Sequence, residues 1–324
     1  MAKQNEPLVT HIYTADPSAH VFEGKIYIYP SHDLEHDGED NDNGDQYKME
    51  DYHILSMDDV DAPCVDNGEA LHMNDVPWVS GQMWAPDAAY KNDTYYLYFP
   101  ARDKDGIFRL GVATSKRPEG PFTPQESHIL GSFSIDPAVL VDDDDKAYIY
   151  FGGLWGGQLE KWQTNSFKSD AEGPAADAPA IGPRVAELSD DMLSLKEIPQ
   201  EIKIVDENGN PITAGDEDRR YFEGPWMHKY NGKYYLSYST GTTHMLVYAV
   251  GDSPKGPFTY KGKILDPVIG WTTHHSIVEF KGKWYLFYHD SSMSGGVNHK
   301  RCVKFRELKY NADGTIIPMK PYED

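Results

Sequence analysis

Three carboxylates stand at similar places in three similar segments of this 324-residue chain. They are Asp16 in Ala15-Asp16-Pro17, Asp136 in Ile135-Asp136-Pro137 and Glu223 in Glu223-Gly224-Pro225. Taken singly, an Asp before Pro is an ordinary turn residue. Acids that converge without a basic partner repel one another, so such a group needs a compensating cation or a function. The chemistry it suits is proton transfer. Mutual repulsion keeps one carboxyl protonated as an acid, while another stays ionised as a base. Glycoside hydrolysis uses such a pair, and flat aromatic side chains stack on sugar faces and exclude water. Trp84, Trp155, Trp226 and Trp271 are expected near the same strand ends.

The elements that must position these residues form a repeat. Five segments each read as a hairpin of two short strands around a tight turn: Asp16–Tyr29, Ala85–Phe99, Asp136–Phe151, Glu223–Tyr238 and His274–Tyr288. Glu23-Gly24, Asn92-Asp93, Asn231-Gly232 and Lys281-Gly282 supply turns, and Asp142–Lys146 supplies a longer one. Ala113–Phe122 and Val250–Phe258 echo each other and read as outer blade strands. Helical periodicity is nearly absent, with a possible exception near Glu187–Lys196. A repeat of this kind predicts an all-β, five-bladed β-propeller of four strands per blade, in preference to a sandwich. Residues 1–324 read as a single catalytic domain with long loops at Asp33–Asp51 and Thr164–Pro183. Overlaying the hairpins on the Tyr of each second strand puts Asp16, Asp136 and His274 at nearly one place, with Glu223 one residue earlier. First strands line a propeller's channel, so these side chains are expected to converge on one pocket.

Composition narrows the partners. The chain carries 30 Lys and Arg against 52 Asp and Glu, a formal net charge of −22, which repels a phosphate backbone and argues against nucleic acid. No apolar run is long enough to span a membrane. Cys64 and Cys302 make neither a disulfide framework nor a zinc spacing. The N-terminus as given lacks the apolar core of a signal peptide, so the chain reads as cytoplasmic, or as secreted or periplasmic with its signal removed. The oligomeric state is not legible.

Ala15-Asp16-Pro17-Ser18, Trp84-Ala85-Pro86-Asp87, Ser134-Ile135-Asp136-Pro137, Glu223-Gly224-Pro225 and His274-His275-Ser276 together resemble glycoside hydrolase family 43, over almost the whole chain. Invertase-like propellers match less well, because Thr14-Ala15-Asp16-Pro17 stands where they carry Asn-Asp-Pro-Asn. The resemblance implies an inverting glycosidase with Asp16 as general base, Glu223 as general acid and Asp136 tuning the acid. It implies β-xylosidase or α-L-arabinofuranosidase action, exo-acting, on xylo- or arabinoxylo-oligosaccharides. It implies sugar contacts from Trp84, Ile135, Trp155 and Arg301, and a calcium ion at His274. The alternatives are an endo-arabinanase of the same fold, which needs an open groove, and a carbohydrate-binding propeller without catalysis.

Two weaker signals lie in acidic loops. Glu39–Glu50 partly mimics a calcium loop but starts on Glu and lacks flanking helices, so it reads as a solvated loop at the pocket rim. Asp142–Asp145 reads as a solvated turn.

Overall fold

The computed structural model describes residues 3–36 and 38–323, and within them strands form five sheets arranged as propeller blades. Blade one is β1 (Tyr13–Phe22), β2 (Lys25–Asp33), β3 (Asp51–Met57) and β4 (Val65–His72), in that order. Blade two holds β5 (Val79–Gly81), β6 (Asp87–Lys91), β7 (Thr94–Asp103), β8 (Phe108–Ser115) and β9 (Thr123–Pro124). Here β5 and β6 share one side of β7, each pairing with half of it. Blade three is β10 (Ala138–Val141), β11 (Ala147–Phe151), β12 (Arg184–Glu187) and β13 (Gln200–Glu201). In blade four, β14 (Ile204–Val205) lies parallel to the outermost strand, after β15 (Glu223–Tyr230), β16 (Lys233–Ser239), β17 (Leu246–Gly251) and β18 (Phe258–Leu265). Blade five has three strands, β19 (His275–Phe280), β20 (Lys283–Asp290) and β21 (Cys302–Leu308).

All five expected hairpins form. In four of them both central turn residues have positive φ: Glu23 and Gly24, Asn92 and Asp93, Asn231 and Gly232, Lys281 and Gly282. This turn twists with the strands it joins, which is why Gly and Asn recur there. The expected fourth strand of blade five is replaced by the chain's beginning. Asn5, Leu8 and Thr14 donate backbone hydrogen bonds to Phe305, Val303 and Arg301 and so close the ring. No helix forms at Glu187–Lys196; β12 ends there and Leu188 bridges to Leu195 in a tight turn. Its apolar residues serve a blade edge rather than a helix face. No helix among the described residues is long and apolar enough to cross a membrane.

The blades are locked by buried tyrosines. Tyr29, Tyr98 and Tyr150 sit on the second strands of blades one, two and three, and each is fully buried. Each hydroxyl donates to a carbonyl of the following blade: Pro118 at 2.7 Å, Met192 at 2.8 Å and Pro254 at 2.9 Å. A buried phenol must find a partner, so one residue type supplies both apolar packing and a directional tie between blades. The first strands β1, β6, β10, β15 and β19 pack against one another around the channel, where the site lies.

Candidate active site

Four blades enter the channel through the same backbone defect. In blade one Ala15 pairs with Ser31 and Ser18 with Tyr29, so one extra residue bulges out of β1 at Asp16-Pro17. Glu223 pairs with Ser239 and Trp226 with Ser237, the same bulge at Gly224-Pro225. Backbone bonds from Gly152 to Ile135 and from Trp84 to Pro100 repeat it at Asp136-Pro137 and Ala85-Pro86. Proline lacks an N–H and is tolerated where the ladder is broken, and a bulge re-aims the neighbouring side chain. The bulged residue has left-handed φ in three blades: 50° at Asp16, 58° at Asp136 and 64° at Gly224. Two carboxylates held in this conformation mark a site whose surroundings maintain strain. Ala85, Ile135, Trp84 and Glu223, all at or just before a bulge, line one cavity of about 290 Å³ with Asp16, Asp136 and His274. Glu223's one-residue offset now has a cause. The bulged position of blade four is a glycine, and the longer Glu side chain reaches the pocket from the residue before.

Asp16 is surrounded by donors. Arg301 Nη1 lies 3.2 Å from its Oδ1, and the Ser31 hydroxyl donates to its Oδ2 at 2.5 Å. Burial alone would raise its pKa, but Arg301, the neighbouring histidines and Ser31 outweigh that and hold it at about 2. Arg301 is itself clamped by Asp33: Nε donates to Oδ2 at 2.8 Å and Nη2 to Oδ1 at 2.7 Å. This two-pronged pair fixes the guanidinium plane. His289 Nδ1 accepts from the Asp16 N–H at 2.9 Å, and its Nε2 lies 2.9 Å from the Thr272 carbonyl, which assigns the proton to Nε2. Burial, reinforced by Arg301, pushes His289 down to about 4, so it stays neutral.

Glu223 and Asp136 have the opposite surroundings. Burial and the charge of Asp16 raise Glu223 to about 7, with Arg301 opposing. Burial, Glu223 and Asp16 push Asp136 well above the ordinary range, although its Oδ2 accepts from the Gly224 N–H at 3.0 Å. Two buried carboxyls this close cannot both ionise readily, so the pair retains a proton into the neutral range. The pocket therefore holds an ionised carboxylate and a protonated one together.

Aromatic and loop residues build the walls. Trp84 donates its Nε1–H to the Tyr47 carbonyl at 2.9 Å. A Cβ on Gly44 would stand 2.5 Å from the Trp84 ring, so only glycine lets that loop close over it. Ile135 fills the space beside Gly153 and Gly157, where an added Cβ would stand within 2.6 and 2.7 Å. Trp155 has φ of 52°, is 40% exposed and packs against Phe222 and Trp271 at ring distances of 5.1 and 5.8 Å. The Asp33–Asp51 loop meets the Gly153–Gly157 loop where Gly156 abuts the Asn43 carbonyl, which also accepts from Arg102 Nη2 at 3.0 Å. That contact joins the two loops at the cavity's rim.

Several expectations need correction. Trp226 does not face the pocket; it is buried between blades, with its Nε1–H on the Ile277 carbonyl at 3.0 Å. It follows the bulge by two residues and points into the packing layer. The Thr164–Pro183 loop contributes no residue to the cavity, so of the two long loops only Asp33–Asp51 supplies a wall. Asp142 is not a freely solvated turn residue: it is paired with Lys229 at 2.6 Å and Tyr234 at 2.5 Å across to blade four. The Glu39–Glu50 loop does stand at the pocket rim, as expected: among the described residues no helix flanks it, and Asp40, Asn41, Asp42, Gly44, Gln46 and Tyr47 line the cavity wall. Arg301 reaches the cavity, but its guanidinium also serves Asp16 and Asp33. Ser31, Asp33, Tyr47 and His289 were not singled out from sequence. Asp33 and Ser31 end β2 opposite the Asp16 bulge, so the hairpin register was the signal that locates them.

A propeller whose repeated bulges deliver an ionised and a protonated carboxyl into one aromatic pocket defines a glycoside hydrolase. The chain belongs to family 43: the model of the glycosyl hydrolases family 43 matches residues 9–316. It is 63% identical to a xylosidase/arabinosidase 43A of Humicola insolens over 324 residues, covering 97% of this chain and 99% of the relative. It is 54% identical to a xylosidase/arabinosidase of Bacteroides ovatus over 321 residues, covering 99% of each. The crystal structure of a family-43 β-xylosidase/α-arabinofuranosidase from a compost microbial metagenome superposes with a TM-score of 0.99 at 62% identity, covering 100% of this chain and 99% of the other. That enzyme was solved with xylotriose in a calcium-free form.

Proposed function

We propose that this chain is an exo-acting, inverting glycosidase that releases terminal β-D-xylose or α-L-arabinofuranose from xylan-derived oligosaccharides. The observation that carries the reading is the pair of opposite charge states, Asp16 held at about 2 and Glu223 raised to about 7. Asp16 accepts a proton from a water that attacks the anomeric carbon. Glu223 donates its proton to the departing glycosidic oxygen as that bond breaks. The attacking water becomes the new anomeric hydroxyl on the opposite face, so the configuration inverts. Exchange with solvent then returns a proton to Glu223 and removes one from Asp16. Asp136 and Glu223 repel each other when both ionise, which keeps a proton on the pair. Arg301 keeps Asp16 ionised and oriented.

Exo action is supported by the approach of the two rim loops at Asn43 and Gly156, beside the cavity that both loops line. An endo-arabinanase needs sugars on both sides of the cut, and a pure binding propeller needs no carboxyls in opposite protonation states. Product profiles on xylo-, arabino- and branched oligosaccharides test this, with monosaccharide release expected. Proton NMR of the first-formed product should give the inverted anomer; a retained anomer or internal cleavage overturns the reading.

His274 fits a calcium ion in one respect and limits it in another. Its ring makes no hydrogen bond among the described residues, and its Nδ1 stands 3.7 and 4.0 Å from carboxylate oxygens of Asp16 and Asp136, an anionic setting for a cation. Calcium prefers six to eight oxygens, so one imidazole leaves the rest to water. Bound there, calcium would supply positive charge beside the two carboxylates. Chelation is expected to lower the melting temperature and the activity, with calcium restoring both. No change in either, with no metal found by elemental analysis, removes calcium from the account.

A further inference from the structure

Blade one carries a second cluster of ionisable side chains, and none of its ligand residues lines the catalytic cavity. Asp51 and His53 are two residues apart on β3, so they share a face, and His32 lies beside them near the end of β2. His32 Nδ1 is 2.7 Å from Asp51 Oδ1, and His53 Nε2 is 3.4 Å from Asp51 Oδ2. The three donor atoms fall within 4.8 Å of one another.

A second feature points to a ligand. His53 Nδ1 lies 3.0 and 3.1 Å from the two Asp66 oxygens. Asp66 is fixed in turn by the Gly68 N–H at 2.8 Å and by His11 Nε2 at 2.8 Å. A carboxylate behind a histidine is the arrangement that orients metal-binding imidazoles, because it fixes the ring and raises its basicity. Here it aims Nε2 at Asp51. Access is partial: the side chains of His32, Asp51 and His53 are 14%, 10% and 19% exposed. His32 and His11 border a cleft of about 230 Å³.

We propose that His32, Asp51 and His53 bind a divalent transition-metal ion of the zinc class, with Asp66 orienting His53. Two imidazoles and one carboxylate suit zinc or cobalt, whereas calcium wants oxygen. Zinc ligands at about 2.0–2.1 Å in a tetrahedron stand roughly 3.4 Å apart, so the cluster needs shifts of about 1 Å to close on an ion. Three protein ligands leave a fourth position for water. The bond set exchanges cleanly: the ion takes the place of the contacts that His32 and His53 make with Asp51. It would tie β2 to β3 next to Asp33, the residue that clamps Arg301.

The test uses tag-free protein, stripped with chelator and titrated with Co(II) alone. One equivalent should bind with the visible absorption of a four-coordinate site, zinc should displace it, and the melting temperature should rise. His53→Gln and His32→Gln should each abolish the absorption. His274→Gln should retain it, which separates this site from the catalytic pocket. Asp66→Asn, which keeps every ligand, should weaken Co(II) binding about 10- to 100-fold. Circular dichroism without metal shows which variants are folded, and the folded ones decide. Absence of Co(II) binding by the wild-type protein overturns the proposal. So does unchanged stoichiometry in folded His53→Gln or His32→Gln, or loss of the absorption in folded His274→Gln.

Discussion

Asp16, buried, and Glu223, partly buried, line one cavity, yet one is held down to about 2 and the other is raised to about 7. Burial pushes both upward, so the difference comes from neighbours. The blade-one side brings a guanidinium and a serine hydroxyl to its carboxylate. Glu223 instead faces the charge of Asp16, and the Gly224 N–H on that side goes to Asp136, not to Glu223. One bulge, repeated by the fold, therefore yields a base on one side and an acid on the other. Residue type does not assign the roles; the polarity of what the opposite strand and the next blade place beside each carboxyl does.

Removing the base should have the largest effect. Asp16→Asn keeps the shape but cannot accept a proton, and no other ionised carboxylate of the pocket has its donor shell. Steady-state kinetics on xylobiose should lose about 10⁴-fold in kcat. Retention of a tenth of the activity would remove Asp16 from the reaction. Glu223→Gln comes next, with roughly a 10³-fold loss on xylobiose. That loss should shrink on an aryl xyloside whose leaving group departs without protonation. Equal losses on both substrates would contradict the acid's role and erase the contrast between the two sides.

The pH profile sharpens the same contrast. Asp16 must be ionised, and at about 2 it leaves the acidic limb far below neutrality. Glu223 must be protonated, so kcat/KM should fall about tenfold per pH unit above about 7. Asp136→Asn removes the carboxyl that shares the pair's retained proton, so Glu223 ionises more easily and the alkaline limb should move to lower pH. Activity at the optimum should fall roughly 10²-fold. An alkaline limb that stays in place or moves upward would mean that Asp136 does not act on Glu223 through charge.

The sequence carried the fold and half of the pocket for different reasons. Hairpins are local, so alternation and turn residues at Asn231-Gly232 or Lys281-Gly282 were sufficient to find all five. Asp16, Asp136 and Glu223 were legible because the Pro after each bulge repeats. The same Pro86 marks blade two, where Trp84 and Ala85 enter the cavity and Asp87, two residues past the bulged Ala85, serves packing instead. Asp87 is fully buried, 2.6 Å from His20 Nε2 and 2.6 Å from the Val139 N–H. An acid's distance from the bulge therefore separates a channel residue from a tie between blades. Trp226 was misplaced because its distance from that defect was not counted. Asp33 and Asp142 were hidden inside acidic stretches whose composition suggested only solvation. Their partners, Arg301 and Lys229, lie 268 and 87 residues away, and no local pattern shows such a pairing.

Asp33 gives the smallest expected effect and the most selective one. It touches Asp16 only through Arg301, by two side-chain bonds and a third from the Arg301 N–H at 3.0 Å. Asp33→Asn retains the size and part of the hydrogen bonding, but loses the charge that holds the guanidinium plane. Arg301 keeps its contact with Asp16, so the base stays ionised while its orientation loosens. The expected result is a fall in kcat of about tenfold with KM little changed, because misplacing a reacting group by a fraction of an ångström slows chemistry more than binding. The alkaline limb set by Glu223 should not move, in contrast to Asp136→Asn. Asp33→Glu, which restores the charge, should recover part of kcat, as a merely structural role for the residue would not require. If Asp33→Asn shifts the alkaline limb as Asp136→Asn does, the two sides are coupled as one titrating unit and the division between them fails.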